Sequence, residues 1–228
     1  MKTHKKITAC LLIFTMIASM MSSSVFTTQA ENDIKVGADF SSVSMPQAGA
    51  NGFIASINPI PSNIPEANIV RIDNANILTT NWAQSGKYYV LEEDINLTAE
   101  WVPINNFAGS VFDGQGHSIN NLYIMGRQYA GFFGQITVSN FTIKNVGINI
   151  GVNGINVYYY YTPYAGGLIG YASGNVSVTN CYATGNVEAS SYSSSYAGGL
   201  IGYASGNVSV TNCYTTGDVE ASASGPSS

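Results

Sequence analysis

The sequence has little charge and very little histidine, and both shortages exclude functions. Charged residues make up only 9% of its 228 residues, and no lysine or arginine follows Lys144. A nucleic-acid partner needs a basic patch, and an anionic membrane surface attracts basic segments, so the composition argues against both. After residue 30 the only histidine is His117, and no HExxH sequence is present to hold the zinc of a metalloprotease.

Lys, Glu, Arg and Leu, which favour helices, are also scarce after residue 30, whereas Gly, Asn, Ser, Thr, Val, Ile and Tyr are abundant. The abundant residues favour strands and turns. No window after residue 30 shows a sustained 3.6-residue periodicity of apolar positions. The sequence therefore predicts an all-β protein.

The first thirty residues have the pattern of an export signal. Three lysines precede an uncharged apolar run from Ile7 to Met21, and small residues at Thr28 and Ala30 occupy the positions that a signal peptidase reads. The run is too short to span a bilayer comfortably. We expect cleavage before Glu31 and an extracellular or cell-surface location. The chain from Glu31 holds five basic and thirteen acidic residues, which gives a net charge of −8.

Internal repeats dominate the second half of the chain. Residues 164–190 and 196–222 are identical at 25 of 27 positions, with a period of 32 residues, and residues 129–150 form a degenerate third copy. Units this short cannot bury their apolar faces alone. Stacking buries these faces and lets backbone groups pair from coil to coil, so the repeats predict a β-solenoid. The repeat-defining residues are Gly167, Leu168, Gly170, Cys181, Gly199, Leu200, Gly202 and Cys213.

The sequence divides into four segments on these patterns. Residues 31–86 contain several prolines and little periodicity, so we expect an irregular N-terminal segment that caps the first coil. The other segments are the signal peptide at 1–30, the β-solenoid at 87–222 and a flexible tail or truncated continuation at 223–228.

Stacking in register makes equivalent residues of two copies neighbours along the solenoid. Leu168 should lie next to Leu200, about one strand spacing (~4.8 Å) away and facing the interior. Cys181 and Cys213 should be neighbours at a separation that a disulfide tolerates. Side chains on neighbouring parallel strands run side by side, however, which suits the ~90° dihedral of a disulfide poorly. We favour reduced cysteines and keep the disulfide as the alternative.

The repeats resemble the GLUG motif of bacterial surface proteins. Gly167–Gly170 and Gly199–Gly202 match it, each followed by a strand of the VTNCY type, and Gly131–Gly134 matches it loosely. The stretch Tyr88–Leu122 resembles the segment that introduces such repeats. The resemblance covers about residues 87–222 and implies a right-handed parallel β-helix, export, and a place in adhesins or beside the protease domain of immunoglobulin-A peptidases. It carries over no catalytic residue.

One pair of residues is a candidate for catalysis. Asp113 and His117 lie four residues apart in a glycine-rich stretch, and an acid/base pair is what a polysaccharide-cleaving β-helix enzyme uses. The alternative, which we favour, is a turn whose Asp and His bond to backbone. Zinc needs three or four converging ligands, and one histidine with two distant cysteines does not supply them. We therefore predict no catalytic, cofactor or metal site.

Tyrosines supply the candidate contact surface. Eleven of the fifteen lie after residue 150, and four of them are consecutive, so they cannot all point inward. Tyrosine gives a flat ring for contact and a hydroxyl for hydrogen bonding. The predicted contact residues are Tyr158, Tyr159, Tyr160, Tyr161 and Tyr192. We expect Tyr171, Tyr203, Tyr182 and Tyr214 to stack between coils instead.

These patterns favour a secreted or cell-surface binding or spacer module without catalytic activity. Its expected partner is a glycan or surface protein of a host or neighbouring cell. A second copy of the chain is another expected partner, because the residues from Ala221 onward are too small and polar to cover the last coil. The alternatives are a carbohydrate-active β-helix enzyme and a non-catalytic fragment of a larger surface protease.

Overall fold

The structure is a computed structural model that describes residues 28–29, 59–80 and 84–224. Three predicted segments lie wholly or partly outside the described residues: the signal peptide apart from residues 28–29, residues 31–58 and 81–83 of the cap, and residues 225–228 of the tail. Within the described ranges, helix is limited to a 3-10 turn at Glu66–Asn68 and the short helix α1 at Ile77–Thr80. No helix in this part of the chain is long and apolar enough to cross a membrane.

Four sheets form the walls of the molecule, numbered in the order in which the chain enters them from Ile69 onward. Sheet 1 contains β2 (Ile69–Ile72), β3 (Tyr88–Leu91), β5 (Val111–Asp113), β9 (Phe141–Lys144), β13 (Val176–Thr179) and β18 (Val208–Thr211). Sheet 2 contains β4 (Ile95–Asn96), β6 (Ser118–Met125), β10 (Gly147–Tyr158), β14 (Tyr182–Thr184), β15 (Val187–Ser191), β19 (Tyr214–Thr216) and β20 (Val219–Ala223). Sheet 3 contains β7 (Tyr129–Ala130), β11 (Tyr164–Gly166), β16 (Tyr196–Gly198) and β1 (Thr28–Gln29). Sheet 4 contains β8 (Phe133–Ile136), β12 (Ile169–Ala172) and β17 (Ile201–Ala204).

The chain passes through these sheets in turn and returns to sheet 1, so successive coils stack. Strands of neighbouring coils pair in parallel, whereas β1 joins the edge of β16 in antiparallel orientation. The result is a parallel β-solenoid of about four turns. This confirms the predicted all-β solenoid.

The two near-identical repeats stack in register, as predicted. Ile169 pairs with Ile201, and the backbone N–H of Leu168 donates to the carbonyl oxygen of Leu200 at 2.9 Å. Both leucines are buried. A one-residue shift would turn every inward side chain outward, and the alternation of buried and half-buried residues therefore specifies this register.

The parallel pairing begins earlier in the chain than the repeats do. Strand β2, at Ile69–Ile72, pairs in parallel with β3, so sheet 1 extends into the segment that the sequence assigns to the cap. Ile72 and Leu78, from β2 and α1, are fully buried in the common core. Strand β2 and helix α1 therefore contribute to the common core of the solenoid.

The core changes in size from one end to the other. Five phenylalanines fill the earlier coils and contact one another at ring centroid distances of 4.8–5.5 Å: Phe107, Phe112, Phe132, Phe133 and Phe141. In the two repeats the inward positions hold smaller residues such as Val178, Ala183 and Ala189. Inward side chains of different size therefore fill the core in different coils.

Glycine is required at the corner of each repeat. A Cβ at Gly167 would lie 2.5 Å from the carbonyl oxygen of Gly199, and one at Gly170 would lie 2.7 Å from that of Gly134. Both distances are shorter than a carbon atom tolerates. The glycines at each end of the Leu-Ile pair are therefore explained by contact with neighbouring coils, as expected from the sequence.

Candidate contact surface

Two linkers leave the solenoid at the same corner, between sheets 2 and 3. Tyr158, at the end of β10, is in register with Ser190 near the end of β15. The linker 159–163 therefore lies one coil away from the linker 192–195. The parallel stacking of the repeats thus brings the tyrosine-rich and serine-rich linkers together.

The predicted contact tyrosines are mostly exposed at this corner. Tyr160 and Tyr161 are 68% and 66% exposed, and Tyr158 and Tyr192 are 56% and 53% exposed. Tyr159 is the exception, because it is partly buried against the core. The structure therefore places four of the five predicted residues on the surface and uses the fifth to anchor the linker.

The four exposed rings form one continuous group, which we call the tyrosine cluster (Tyr158, Tyr160, Tyr161 and Tyr192). Tyr192 contacts both Tyr158 and Tyr160, with ring centroids 5.9 and 5.8 Å apart, and Tyr160 contacts Tyr161 at 5.2 Å. Neighbouring ring planes are inclined by 59–88°. Because the rings are inclined and more than half exposed, ring faces as well as hydroxyl groups are open to solvent.

The cluster is polar but carries little charge. A hydrogen bond with Tyr192 raises the pKa of Tyr158, so its hydroxyl stays protonated at neutral pH. Ser190 and Ser193 lie beside the rings in the sequence, and no lysine or arginine follows Lys144. Uncharged rings and hydroxyls suit a ligand that offers apolar faces and hydroxyl groups together.

The remaining tyrosines of the repeats have a different arrangement. Tyr171 and Tyr203 stack with centroids 5.5 Å apart and planes 9° apart, and Tyr182 and Tyr214 stack at 5.3 Å and 13°. Parallel stacking covers ring faces, so these residues contribute packing between coils, as predicted. Sequence reasoning missed one further column, formed by Tyr129, Tyr164 and Tyr196. Its signal was present, since a tyrosine opens each repeat copy.

The candidate catalytic residues are not brought together as a pair. Asp113 is fully buried. Its carboxylate accepts hydrogen bonds from the Tyr88 hydroxyl at 2.8 Å and the Asn145 amide at 3.0 Å, and lies 3.1 Å from Lys144 Nζ. The backbone N–H and side-chain amide of Gln115 also donate to it, at 3.0 and 2.7 Å. A carboxylate offers about four lone-pair sites, so these five donors saturate it.

His117 lies instead beside an exposed carboxylate. Its Nδ1 is 3.5 Å from Oδ1 of Asp94, which also accepts the backbone N–H of Ser118 at 2.8 Å. Glu92, two residues before Asp94, instead binds Arg71 at 2.8 Å. These two neighbouring acids therefore have separate partners. No group of three or more His, Cys, Asp or Glu residues suited to a metal ion occurs in the described part of the chain.

The hydrogen bonds around Asp113 also change the pKa of Lys144, its cationic partner. Burial alone would lower the pKa of Lys144, but hydrogen bonds with Tyr88 and Asp113 outweigh burial and raise it above its ordinary value of 10.5. Burial raises the pKa of Tyr88. The group therefore consists of an ammonium, a carboxylate and a neutral phenol, an arrangement that stabilises adjacent coils.

The two cysteines are neighbours and both are free thiols. The backbone N–H of Cys181 points at Sγ of Cys213 at 3.4 Å. Burial raises the pKa of the Cys181 thiol, whereas a hydrogen bond from Cys181 lowers that of Cys213. The structure agrees with the favoured reduced arrangement, although Cys213 is only partly buried.

Comparison with known protein families finds the GLUG motif twice, at residues 161–188 and 193–220. These ranges contain both Gly-Leu-Ile-Gly units and the strands that follow them. The chain therefore carries two GLUG motifs, which confirms the resemblance, and the link to immunoglobulin-A peptidases stays a prediction. No curated protein and no solved structure shows a significant match to the chain.

Proposed function

We propose that this protein is an exported, non-catalytic binding module whose solenoid presents the tyrosine cluster to a glycan or surface protein of another cell. The observation that carries the proposal is the cluster itself. Two linkers from adjacent coils assemble four exposed rings at one corner. An exposed aromatic group of this kind is a feature that marks interaction sites on protein surfaces.

The scaffold suits this role. Each linker leaves a strand that is paired on both sides, β10 or β15, and enters a strand that is paired with its neighbour in the adjacent coil, so its ends are held by the stacked coils. A rigid base lowers the entropy lost when the rings meet a ligand. GLUG repeats in a β-solenoid are consistent with a repeat-based surface module.

The enzymatic alternative has weaker support. A general acid or base must reach substrate, and every oxygen lone-pair site of buried Asp113 is already engaged. His117 lies beside Asp94 rather than Asp113. We therefore favour binding over polysaccharide cleavage, and Asp113→Ala or His117→Ala should remove no activity.

The test is an array of glycans and extracellular-matrix proteins probed with the purified protein. We expect selective binding that the double variant Tyr160→Ser/Tyr161→Ser loses. The matched control is Val152→Ser, which removes a fully exposed apolar side chain from β10 and leaves the cluster intact. Binding that survives the double variant, or cleavage of an arrayed polysaccharide, would overturn the proposal.

A further inference from the structure

Five side chains form a single file on the outer face of sheet 2, which we call the outer file: Val102, Met125, Asn156, Glu188 and Glu220. The register of β6, β10, β15 and β20 sets the last four beside one another. The first joins them through the backbone, because the N–H of Trp101 donates to the carbonyl oxygen of Tyr123 at 2.9 Å. Between parallel chains this bond places Trp101 beside Ile124, both buried, and therefore Val102 beside Met125.

The outer file is apolar at one end and acidic at the other. Val102 and Met125 are 62% and 56% exposed. They offer no hydrogen-bonding side chain, so an apolar group is the partner that suits them. Glu188 accepts a hydrogen bond from Nδ2 of Asn156 at 3.4 Å, and Glu220 is its neighbour in register on β20. Neighbouring carboxylates repel each other, so a basic group placed against them is stabilised.

The tyrosine cluster flanks the middle of the outer file. Tyr158 lies two residues after Asn156 on β10, so both side chains are on the same face of sheet 2. Exposed tyrosine rings attract ammonium and guanidinium groups. Arg127, at the same corner, already lies 3.7 Å from the carboxylate of Glu100, and no lysine or arginine lies beyond residue 144. This side of the solenoid is therefore aromatic and acidic.

We propose that the outer file and the tyrosine cluster bind an extended peptide segment of a partner protein, with an apolar side chain against Val102 and Met125 and a basic side chain against Glu188 and Glu220. The inference rests on the proposed binding role and names the class of its partner. The centres of the apolar and acidic pairs are three strand spacings apart, about 14 Å. An extended peptide rises about 3.4 Å per residue, so about four residues separate its two anchors. Residues four apart in an extended chain project to the same side, so one segment can reach both ends.

A glycan is matched less well by this surface. Sugar hydroxyls lose water when they bind, and Val102 and Met125 give them no hydrogen-bonding partner in return. The carboxylates of Glu188 and Glu220 repel an acidic glycan. An arginine side chain suits the acidic end, because a guanidinium group stacks on aromatic rings and pairs with carboxylates. We therefore expect arginine in preference to lysine as the basic anchor.

The probe is a set of labelled synthetic peptides in which leucine and arginine lie four residues apart in a serine and threonine background, in both sequence orders. Fluorescence anisotropy with the purified protein at low salt should show binding of at least one order. Replacing the arginine by glutamate, or the leucine by serine, should weaken binding at least about tenfold. Moving the arginine by one residue turns its side chain to the other side of the extended peptide and should weaken binding to a similar extent.

Four substitutions identify the surface on the protein, with folding checked by circular dichroism. Glu188→Gln should weaken binding of the arginine peptide at least about fivefold and reduce the salt dependence of its affinity. Met125→Ser should weaken binding at least about fivefold through the apolar anchor. Val152→Ser is the apolar control, since Val152 is fully exposed on β10 but lies outside the outer file. Glu93→Gln is the charge control, and both controls should stay within about twofold of wild type.

The outcomes separate this inference from the proposed function. The inference is overturned by an affinity that the arginine-to-glutamate peptide, Glu188→Gln and Met125→Ser leave unchanged, or by no peptide binding up to millimolar concentration. Array binding of a glycan that tolerates Glu188→Gln and Met125→Ser would also overturn it and would leave the proposed function standing. The proposed function fails on a different result, array binding that survives the Tyr160→Ser/Tyr161→Ser double variant.

Discussion

The side-chain amide of Asn145 donates a hydrogen bond to the buried carboxylate of Asp113, with Nδ2 and Oδ1 3.0 Å apart. The ladder continues along the solenoid, because Asn180 donates to Asn145 at 3.0 Å and Asn212 donates to Asn180 at 3.3 Å. All three asparagines have φ between 51° and 54°, a conformation that asparagine tolerates better than most residues. One charged group thus anchors an amide ladder through successive coils.

Replacing Asp113 should destabilise the fold strongly. Asp113→Ala leaves the Lys144 ammonium without its carboxylate and leaves the Tyr88 and Asn145 donors without an acceptor. Removing one partner of a buried ion pair costs about 3–5 kcal/mol. We expect a loss of this size in the free energy of unfolding, measured by urea denaturation.

The control for this prediction is Glu93→Ala. Glu93 is an exposed acid of the same part of the chain, so its loss should cost under about 0.5 kcal/mol. A similar small cost for Asp113→Ala would show that the buried group does not contribute as the structure indicates.

Stability should fall in alkaline solution. The pKa values of Lys144 and Tyr88 are both raised in the folded protein, from ordinary values of 10.5 and 10.0. A group with a raised folded pKa contributes its full stability below its unfolded pKa and loses that contribution as the pH rises through the folded value. Urea midpoints should therefore be constant from about pH 7 to 9 and decrease above about pH 10. A midpoint that rises above pH 10 would contradict this assignment.

The corner glycines should not tolerate alanine. A Cβ at Gly170 would lie 2.7 and 2.8 Å from backbone atoms of Gly134 and Ala130, so Gly170→Ala should cost about 1–3 kcal/mol through overpacking. Gly151→Ala is the matched control, because its Cβ would meet its nearest neighbour at 3.3 Å. In thermal unfolding, the melting temperature of Gly170→Ala should lie clearly below that of Gly151→Ala. Equal melting temperatures would contradict the tight packing at the corner.

The two cysteines should differ in reactivity. Cys181 is buried with a raised pKa, whereas Cys213 is partly exposed with a lowered pKa, and thiolate content and access control alkylation. In the folded protein, maleimide labelling followed by peptide mass spectrometry should find Cys213 modified first. After unfolding without reductant both should react. Two unreactive cysteines in the unfolded protein would indicate a disulfide.

The repeats made the stacking of β12 on β17 predictable from sequence. Two copies that share 25 of 27 residues have the same inward positions. Only one register therefore buries the inward apolar side chains of both copies. The start of the solenoid was not predictable in this way. Strand β2 contains Ile69–Ile72, a short sequence that resembles no repeat, and its pairing with β3 depends on contacts between coils.

The contact surface was predictable only in part, because it combines residues from two linkers. Four consecutive tyrosines must place some rings outward, but only the three-dimensional stacking shows that Tyr192 joins Tyr158 and Tyr160 from the next coil. The surroundings of Asp113 were not predictable, because its donors Tyr88 and Asn145 lie 25 and 32 residues away in sequence. Their approach follows from the length of each coil rather than from any local pattern.

The most direct test of the proposed binding role is a titration with the strongest array ligand. Wild type, Tyr192→Ser and Val152→Ser are compared by calorimetry, with folding checked by circular dichroism. Tyr192 contacts both Tyr158 and Tyr160, so its loss should weaken binding at least about tenfold, the equivalent of ~1.4 kcal/mol for a central aromatic contact. Val152→Ser should bind as wild type does. Equal affinity of Tyr192→Ser and wild type would contradict the account.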